Sequence, residues 1–296
     1  MLELCSVQTA GIKKKVAIVG AGVSGLTCGV IFAEAGYRVT ILAEETGQQT
    51  TSAAAAAIWY PYDAKPADKI IAWALETYRA FEELSRAPQS GVSMIELRTF
   101  SRTSEIIIPA WAHSLGARSL PTTATFPSAF VTGFTLTVPL RCLDLIINCT
   151  GIGARRLVSD LNLEAHRGQV AIVPKLDLPY AIVSDDPPLM YAIPRTNDCV
   201  FGGTNERSND RVVDPAARKR IIAECSRILE IAQPEVIADR VGLRPFRKSG
   251  VRLETDRLTD GRLLIHNYGH GGAGFTLSWA CARKVFALAN SEIAFA

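Results

Sequence analysis

The run Gly20-Ala21-Gly22-Val23-Ser24-Gly25 carries the spacing G-x-G-x-x-G, and it stands where that spacing has a physical use. Gly20 allows a tight turn out of a strand, Gly22 lets backbone come close to a pyrophosphate, and Gly25 lets a helix pack against a sheet. The helix start adds free N–H groups and a partial positive charge, both suited to phosphate. Glu44, followed by Glu45, falls at the end of the next strand, where a carboxylate can accept hydrogen bonds from an adenosine ribose. Glycines of a merely tight turn would need none of this company. Strand, helix, second strand and terminal acid together predict a dinucleotide site.

A second turn reads His266-Asn267-Tyr268-Gly269-His270-Gly271-Gly272-Ala273-Gly274-Phe275-Thr276. Glycines just ahead of a helix expose backbone amides, and a ring that gains negative charge on reduction, such as a flavin, is well stabilised there. Nicotinamide chemistry has no need of such a turn. The two histidines could suggest zinc, but they lie in a glycine turn with no third ligand evident, so the expectation is hydrogen bonding and no metal. Between the turns lies Val241-Gly242-Leu243-Arg244-Pro245-Phe246-Arg247, with Arg252 and Glu254 beyond. The planar fork of an arginine suits a substrate carboxylate, although composition alone favours a surface arginine.

The elements that must hold these residues follow from periodicity. Residues 15–19 form a short apolar run typical of a strand buried on both faces, a helix is expected over 26–35, and a second strand over 38–42. That order is a βαβ unit with a right-handed crossover. Residues 50–57 are a loop rich in Thr, Ser and Ala. Helical spacing of Ile70, Ile71, Ala74, Leu75, Tyr78 and Phe81 predicts an amphipathic helix over 68–85. Residues 92–138, richer in β-branched and aromatic types, predict antiparallel strands of a second domain. Further strands are expected over 143–149, 169–173, 191–193, 200–203 and 263–266, with helices over 215–231 and about 275–289.

The chain has 296 residues, 48% of them hydrophobic, which suffices for one large or two modest cores. A formal charge of +3, dispersed along the chain, argues against nucleic acid or a membrane surface as a partner. Seven cysteines without a C-x-x-C pair fit a reduced, intracellular setting. The apolar run from Val16 is too short for a membrane span, no signal peptide is evident, and Ala294-Phe295-Ala296 is not a peroxisomal address, so a cytoplasmic protein is expected.

Several segments in order resemble the D-amino-acid oxidase family: the first glycine turn, Thr51 through Tyr62, Asn148-Cys149-Thr150-Gly151, Arg167-Gly168-Gln169, Tyr191-Ala192-Ile193-Pro194, Gly242-Leu243-Arg244-Pro245 and the second glycine turn. The resemblance spans nearly the whole chain. It implies an α/β fold in which an FAD-binding, Rossmann-like domain (14–90 with 143–170 and 255–296) is interleaved with an α+β substrate domain on an antiparallel sheet (91–142 with 171–254). FAD would be held by Gly20, Ala21, Gly22, Val23, Ser24, Gly25, Glu44 and Glu45, with Thr51 and Ser52 near the phosphates. Backbone of Ala57 and Ile58 would run along the flavin edge, Gly274, Phe275 and Thr276 would meet its pyrimidine end, and Thr150, Gly151, Gly271 and Gly272 would also bind the cofactor. Arg244 would clamp the substrate carboxylate, Tyr191 would donate a hydroxyl to it, and the Gly272 carbonyl would orient the amine. The implied reaction is hydride transfer from the α-carbon of a D-amino acid to flavin N5. The imino acid formed would hydrolyse to a 2-oxo acid and ammonia, with oxygen reduced to hydrogen peroxide. The resemblance leaves a homodimer open.

Two features depart from the family. The strand-like runs 134–138 and 143–149 are too close for a parallel crossover, so they must be antiparallel neighbours or lie in different sheets. Family members carry a helix and a further strand here, which makes a catalytically impaired remnant an alternative. Asp185-Asp186-Pro187-Pro188-Leu189-Met190 is a shortened, proline-stiffened approach to Tyr191, implying an open entrance; Tyr180 stays unplaced. A D-aspartate or glycine/sarcosine-type oxidase is the other alternative, with Arg195 as a partner for an acidic side chain.

Overall fold

The computed structural model describes residues 15–102, 106–120, 132–141, 150–257 and 263–294. The first glycine turn joins β1 (Lys15–Val19) to α1 (Val23–Glu34), and β2 (Arg38–Leu42) returns parallel to β1. The helix begins three residues earlier than its apolar run suggests, because Gly22 in an extended conformation (φ −88°, ψ 180°) caps it and Val23, Ser24 and Gly25 form its first turn. The loop over 50–57 contains one short turn of helix, α2 (Thr51–Ala54), whose start is capped by the Thr50 hydroxyl accepting from Ala53 N. The amphipathic stretch is α3 (Ala67–Leu84).

A nine-stranded sheet forms the rest of the framework. Its strands are β3 (Val92–Ser101), β4 (Arg118–Ser119), β5 (Thr132–Arg141), β6 (Leu163–Pro174), β7 (Tyr180–Ser184), β8 (Met190–Pro194), β9 (Asp198–Gly202), β10 (Glu206–Arg207) and β11 (Ala238–Arg247). The order is β10-β6-β9-β8-β7-β3-β5-β4, with β11 also paired to β6. Pairing is antiparallel throughout except between β3 and β7, which are parallel. Short helices α4 (Ala110–His113) and α5 (Ala154–Leu157) lie in connections, and α6 (Pro215–Leu229) covers one face of the sheet. Finally β12 (Arg252–Arg257) pairs antiparallel with β13 (Leu263–Tyr268), which runs through the second glycine turn into α7 (Gly274–Ala294).

Period-two alternation divides the sheet into two cores. Ala171, Val173, Ile182, Ala192, Cys199 and Phe201 pack on Ile221, Ile222 and Cys225 of α6. Their neighbours Val170, Ile172, Val183, Ile193 and Val200 face the opposite way, toward Trp59, Phe81 and Leu277 of the α3 and α7 side. Tyr191, two residues before Ile193, shares that second face. A third core joins β1, α1 and α7 through Ile18, Cys28, Phe32, Ala282 and Val285. No described helix is long and apolar enough to cross a membrane.

β7 and β11 are strands that apolar runs alone did not reveal. The division expected at residue 170 falls inside β6, which belongs to the large sheet along its whole length. The strand expected over 143–149 and the short connection leading to it lie outside the described residues.

Candidate active site

Backbone and small side chains build one end of the site. Gly20 adopts φ +116°, a conformation that side chains disfavour, and its N–H donates to Leu42 O at 2.8 Å, locking the turn to the end of β2. Ser52 of α2 sits over the start of α1, its Oγ accepting from Val23 N at 2.8 Å. A Cβ on Gly22 would stand 3.1 Å from that hydroxyl, so glycine keeps the approach to the helix N-terminus open. Thr51 donates to Leu243 O at 3.4 Å, which ties α2 to β11. Farther out, Glu44 faces Arg156 across 3.4 Å with both side chains largely exposed, and Glu45 pairs with Arg211.

The second glycine turn is clamped to the segment following Ala57. Ala57 itself is in the left-handed region (φ +62°) and packs with Val23 and Phe275. Thr276 Oγ1 accepts from Tyr60 N at 3.0 Å and donates to Tyr60 O at 2.8 Å. Gly271 has φ +55°, and a Cβ there would lie 1.7 Å from Asp63 O; at Gly272 it would lie 2.5 Å from the Tyr62 ring. His270, buried beneath, donates from Nε2 to Asn267 Oδ1 at 3.1 Å, because an amide oxygen can only accept, which leaves Nδ1 to accept from Ser24 Oγ at 3.4 Å. Burial lowers its pKa to about 4, so the ring is neutral and bridges the two glycine turns. His266 lies apart, beside Asp256 at 3.6 Å.

Side chains build the other end. Arg244 comes from β11, and its guanidinium lies so close over Gly168 that a Cβ there would be 2.4 Å from Nη1. Nη1 donates to Thr204 O at 3.0 Å and toward Asn205 Oδ1 at 3.4 Å. Among the described residues no carboxylate pairs with Arg244. Nearby arginines are engaged otherwise: Arg247 donates to Asp160 at 2.8 Å, and Arg252 to Glu254 at 2.7 Å and to the Tyr268 hydroxyl at 2.9 Å. Tyr191 lies over Gly202 and Gly203, where a Cβ would meet its ring at 2.0 Å and its hydroxyl at 2.8 Å. Burial, opposed by the Arg244 charge, pushes its hydroxyl up, so it remains a neutral donor. Tyr62 is pushed up to about 12 in the same way and accepts from Asn205 Nδ2 at 2.7 Å.

Arg167 and Gln169 support this end from behind. The nearly buried Arg167 donates to Gln169 Oε1 at 2.8 Å and Val212 O at 2.7 Å, while Gln169 accepts from Asp214 N at 2.9 Å. Thr204 Oγ1 in turn accepts from Gln169 N at 2.9 Å. The motif residues flanking Gly168 therefore hold the segment that orients Arg244.

One continuous cleft of about 1120 Å³ joins the two ends. It is lined by Gly20, Ala21, Gly22, Val23, Ser24, Glu44, Glu45, Thr51, Ser52, Ala57, Ile58, Thr150 and Gly151 on one side, and by Tyr191, Arg244, Gly271, Gly272, Gly274 and Phe275 toward the other. Gly25 is buried within α1, and Thr276 is spent on Tyr60; neither lines the cleft. Arg195 is not there either, since it forks onto Asp198 at 2.6 and 2.8 Å, which leaves the D-aspartate alternative without that partner for an acidic side chain. Tyr180 is also absent, held under the Arg98 guanidinium at 3.6 Å. Tyr60, Tyr62 and Asp185 line the cleft too, and the sequence gives no chemical sign of them beyond the stretches in which they sit, Thr51 through Tyr62 and Asp185 through Met190.

A βαβ start with a glycine turn, a large sheet and a shared cleft define a nucleotide-cofactor oxidoreductase class. The FAD dependent oxidoreductase family profile matches residues 15–95 and 128–288. A D-amino-acid oxidase of Rubrobacter xylanophilus is 33% identical over 327 aligned positions, covering 98% of this chain and all of that protein. A D-amino-acid oxidase of Streptomyces coelicolor is 34% identical, covering 93% of this chain and 97% of that one. The crystal structure of glycine oxidase from Bacillus cereus superposes with a TM-score of 0.76 at 16% identity, covering 95% and 96% of the two chains. This chain belongs to the family of FAD-dependent oxidoreductases. Its cleft suits that cofactor: it exceeds the roughly 300–1,000 Å³ of pockets for smaller ligands, and the glycine at position 22 keeps a helix N-terminus accessible.

Proposed function

We propose that the protein oxidises D-amino acids to imino acids, which water hydrolyses to 2-oxo acids and ammonia, with oxygen reduced to hydrogen peroxide. Bound FAD supplies the two-electron acceptor for the substrate α-carbon. The Gly20–Gly25 turn and the start of α1 would hold its pyrophosphate, Glu44 the ribose, and the turn from Gly271 to Phe275 the ring. Residues 14–90, 143–170 and 255–296 would form the cofactor domain and residues 91–142 and 171–254 the substrate domain, with β6 running across the division at residue 170.

The single observation that carries the substrate reading is Arg244, a guanidinium facing the cleft with no carboxylate partner among the described residues. Thr204 and Asn205 engage Nη1 and the Tyr191 hydroxyl adjoins the guanidinium, while no carboxylate of the described residues takes the charge, which suits an incoming carboxylate. Tyr191, held over Gly202, adds a neutral hydroxyl donor to the same carboxylate. With the carboxylate fixed at one side and the Gly272 carbonyl accepting from an amine that binds neutral, the α-carbon would be aligned with the ring without a side-chain base, and catalysis rests on alignment. The relatives named D-amino-acid oxidase support the D configuration.

Peroxide release over a panel of matched D- and L-amino acids tests this. Release with D-alanine and none with L-alanine is expected; equal rates, or release with the L series alone, would refute it.

A further inference from the structure

The substrate end of the cleft contains a second charge. Asp185 lies just beyond β7, and strand alternation places it with Val183 on the cleft face, beside Tyr191, while Ser184 between them is buried on the other side. Its neighbour Asp186 has a structural task, accepting from Ser101 Oγ at 3.0 Å and Arg102 N at 2.7 Å. Asp185 has no such task. One oxygen accepts from the Tyr60 hydroxyl at 3.3 Å, and no basic side chain of the described residues pairs with it. The acids at the other end of the cleft, Glu44 and Glu45, are each matched by an arginine. Tyr62 stands within the fields of both Arg244 and Asp185, so the unmatched cation and the unmatched anion occupy one end of the same cleft.

A zwitterionic amino acid offers Arg244 its carboxylate. Asp185 then faces whatever the side chain brings. An apolar side chain would strip water from this carboxylate and return nothing, an acidic one would add repulsion, and a cationic one would supply the missing partner. We propose that Asp185 selects D-amino acids with a cationic side chain, of the lysine or arginine kind, by pairing with that cation while Arg244 holds the α-carboxylate. A solvated loop aspartate would show no such preference, and the Tyr60 hydroxyl that orients Asp185 argues for a placed group. The inference rests on the proposed D-amino-acid oxidation.

The experiment compares kcat/KM of the FAD-loaded enzyme for D-lysine, D-norleucine and D-glutamate at neutral pH, D-norleucine being an uncharged analogue of lysine. Asp185 is exposed at the cleft mouth, so D-lysine should exceed D-norleucine by about fivefold, with D-glutamate the poorest, as expected for a charge pair open to water. In Asp185→Asn the lysine-to-norleucine ratio should fall to about one and the relative rate of D-glutamate should rise; flavin absorbance reports that the variant is folded. A wild-type ratio at or below one, or a ratio unchanged by Asp185→Asn, would overturn the inference while leaving D-amino-acid oxidation intact if D-alanine is turned over. No turnover of any D-amino acid, D-alanine included, would overturn both.

Discussion

The two ends of the cleft are made of different materials. At the end proposed for the cofactor, backbone conformation and small residues dominate: Gly20 at φ +116°, Gly22 beneath Ser52, and exposed ion pairs at Glu44 and Glu45. At the substrate end, large side chains dominate, each laid over a glycine: Arg244 over Gly168 and Tyr191 over Gly202. A phosphate-bearing cofactor can be held by amides that any compact turn provides, whereas a small zwitterion needs a few charges at fixed positions. Loss of one side chain should therefore hurt the substrate end far more than the cofactor end.

The sharpest test of that contrast is Arg244→Ala. Losing a charge-assisted carboxylate fork should lower kcat/KM for D-alanine by about a thousandfold, mostly through KM, with the flavin spectrum retained. Next comes Gly202→Ala: its Cβ would fall 2.0 Å from the Tyr191 ring, so the ring must leave, and kcat/KM should drop about a hundredfold in steady-state assays. A smaller effect falls on the bridge between the glycine turns. His270 has its pKa lowered to about 4 by burial, against an ordinary 6.5, so the unfolded chain takes up the proton first. Its contribution is full above pH 6.5 and is lost as pH falls toward about 4, by about 1.4 kcal/mol for each pH unit crossed. Melting temperature should fall over that window, and His270→Gln should flatten the slope. Smallest of all, Glu44→Gln breaks an exposed pair with Arg156 and should change FAD affinity, measured by flavin fluorescence, by no more than about fivefold.

The same contrast explains what could be read from the chain beforehand. Glycine turns announce themselves locally, so β1, β2 and the helices α3 and α6 were legible within a residue or two, and α1 within three. The substrate end depends on pairing between distant strands. β11 hid behind Gly242 and Pro245, which interrupt an apolar pattern, and only its register with β6 brings Arg244 across to Gly168. β7 lies parallel to β3 from a place some eighty residues away, and nothing local signals that partnership. Asp185 read as part of an entrance loop because its role depends on which face of β7 it continues. Arg195 read as a solvated arginine or a substrate partner because nothing in the sequence shows the turn that brings Asp198 to it. α7 passes the expected end near Ala289 and runs to Ala294, and in that extension Asn290 Oδ1 accepts from the Tyr37 hydroxyl at 3.2 Å, a contact between residues far apart in the chain.

One cleft is claimed to bring FAD and a D-amino acid together, and anaerobic reduction tests this most directly. The purified protein, supplied with FAD, should show flavin absorbance in the visible range; D-alanine without oxygen should bleach it, and air should restore the colour with release of hydrogen peroxide. A preparation that stays colourless with added FAD, or a bound flavin that no D-amino acid bleaches, would contradict the account.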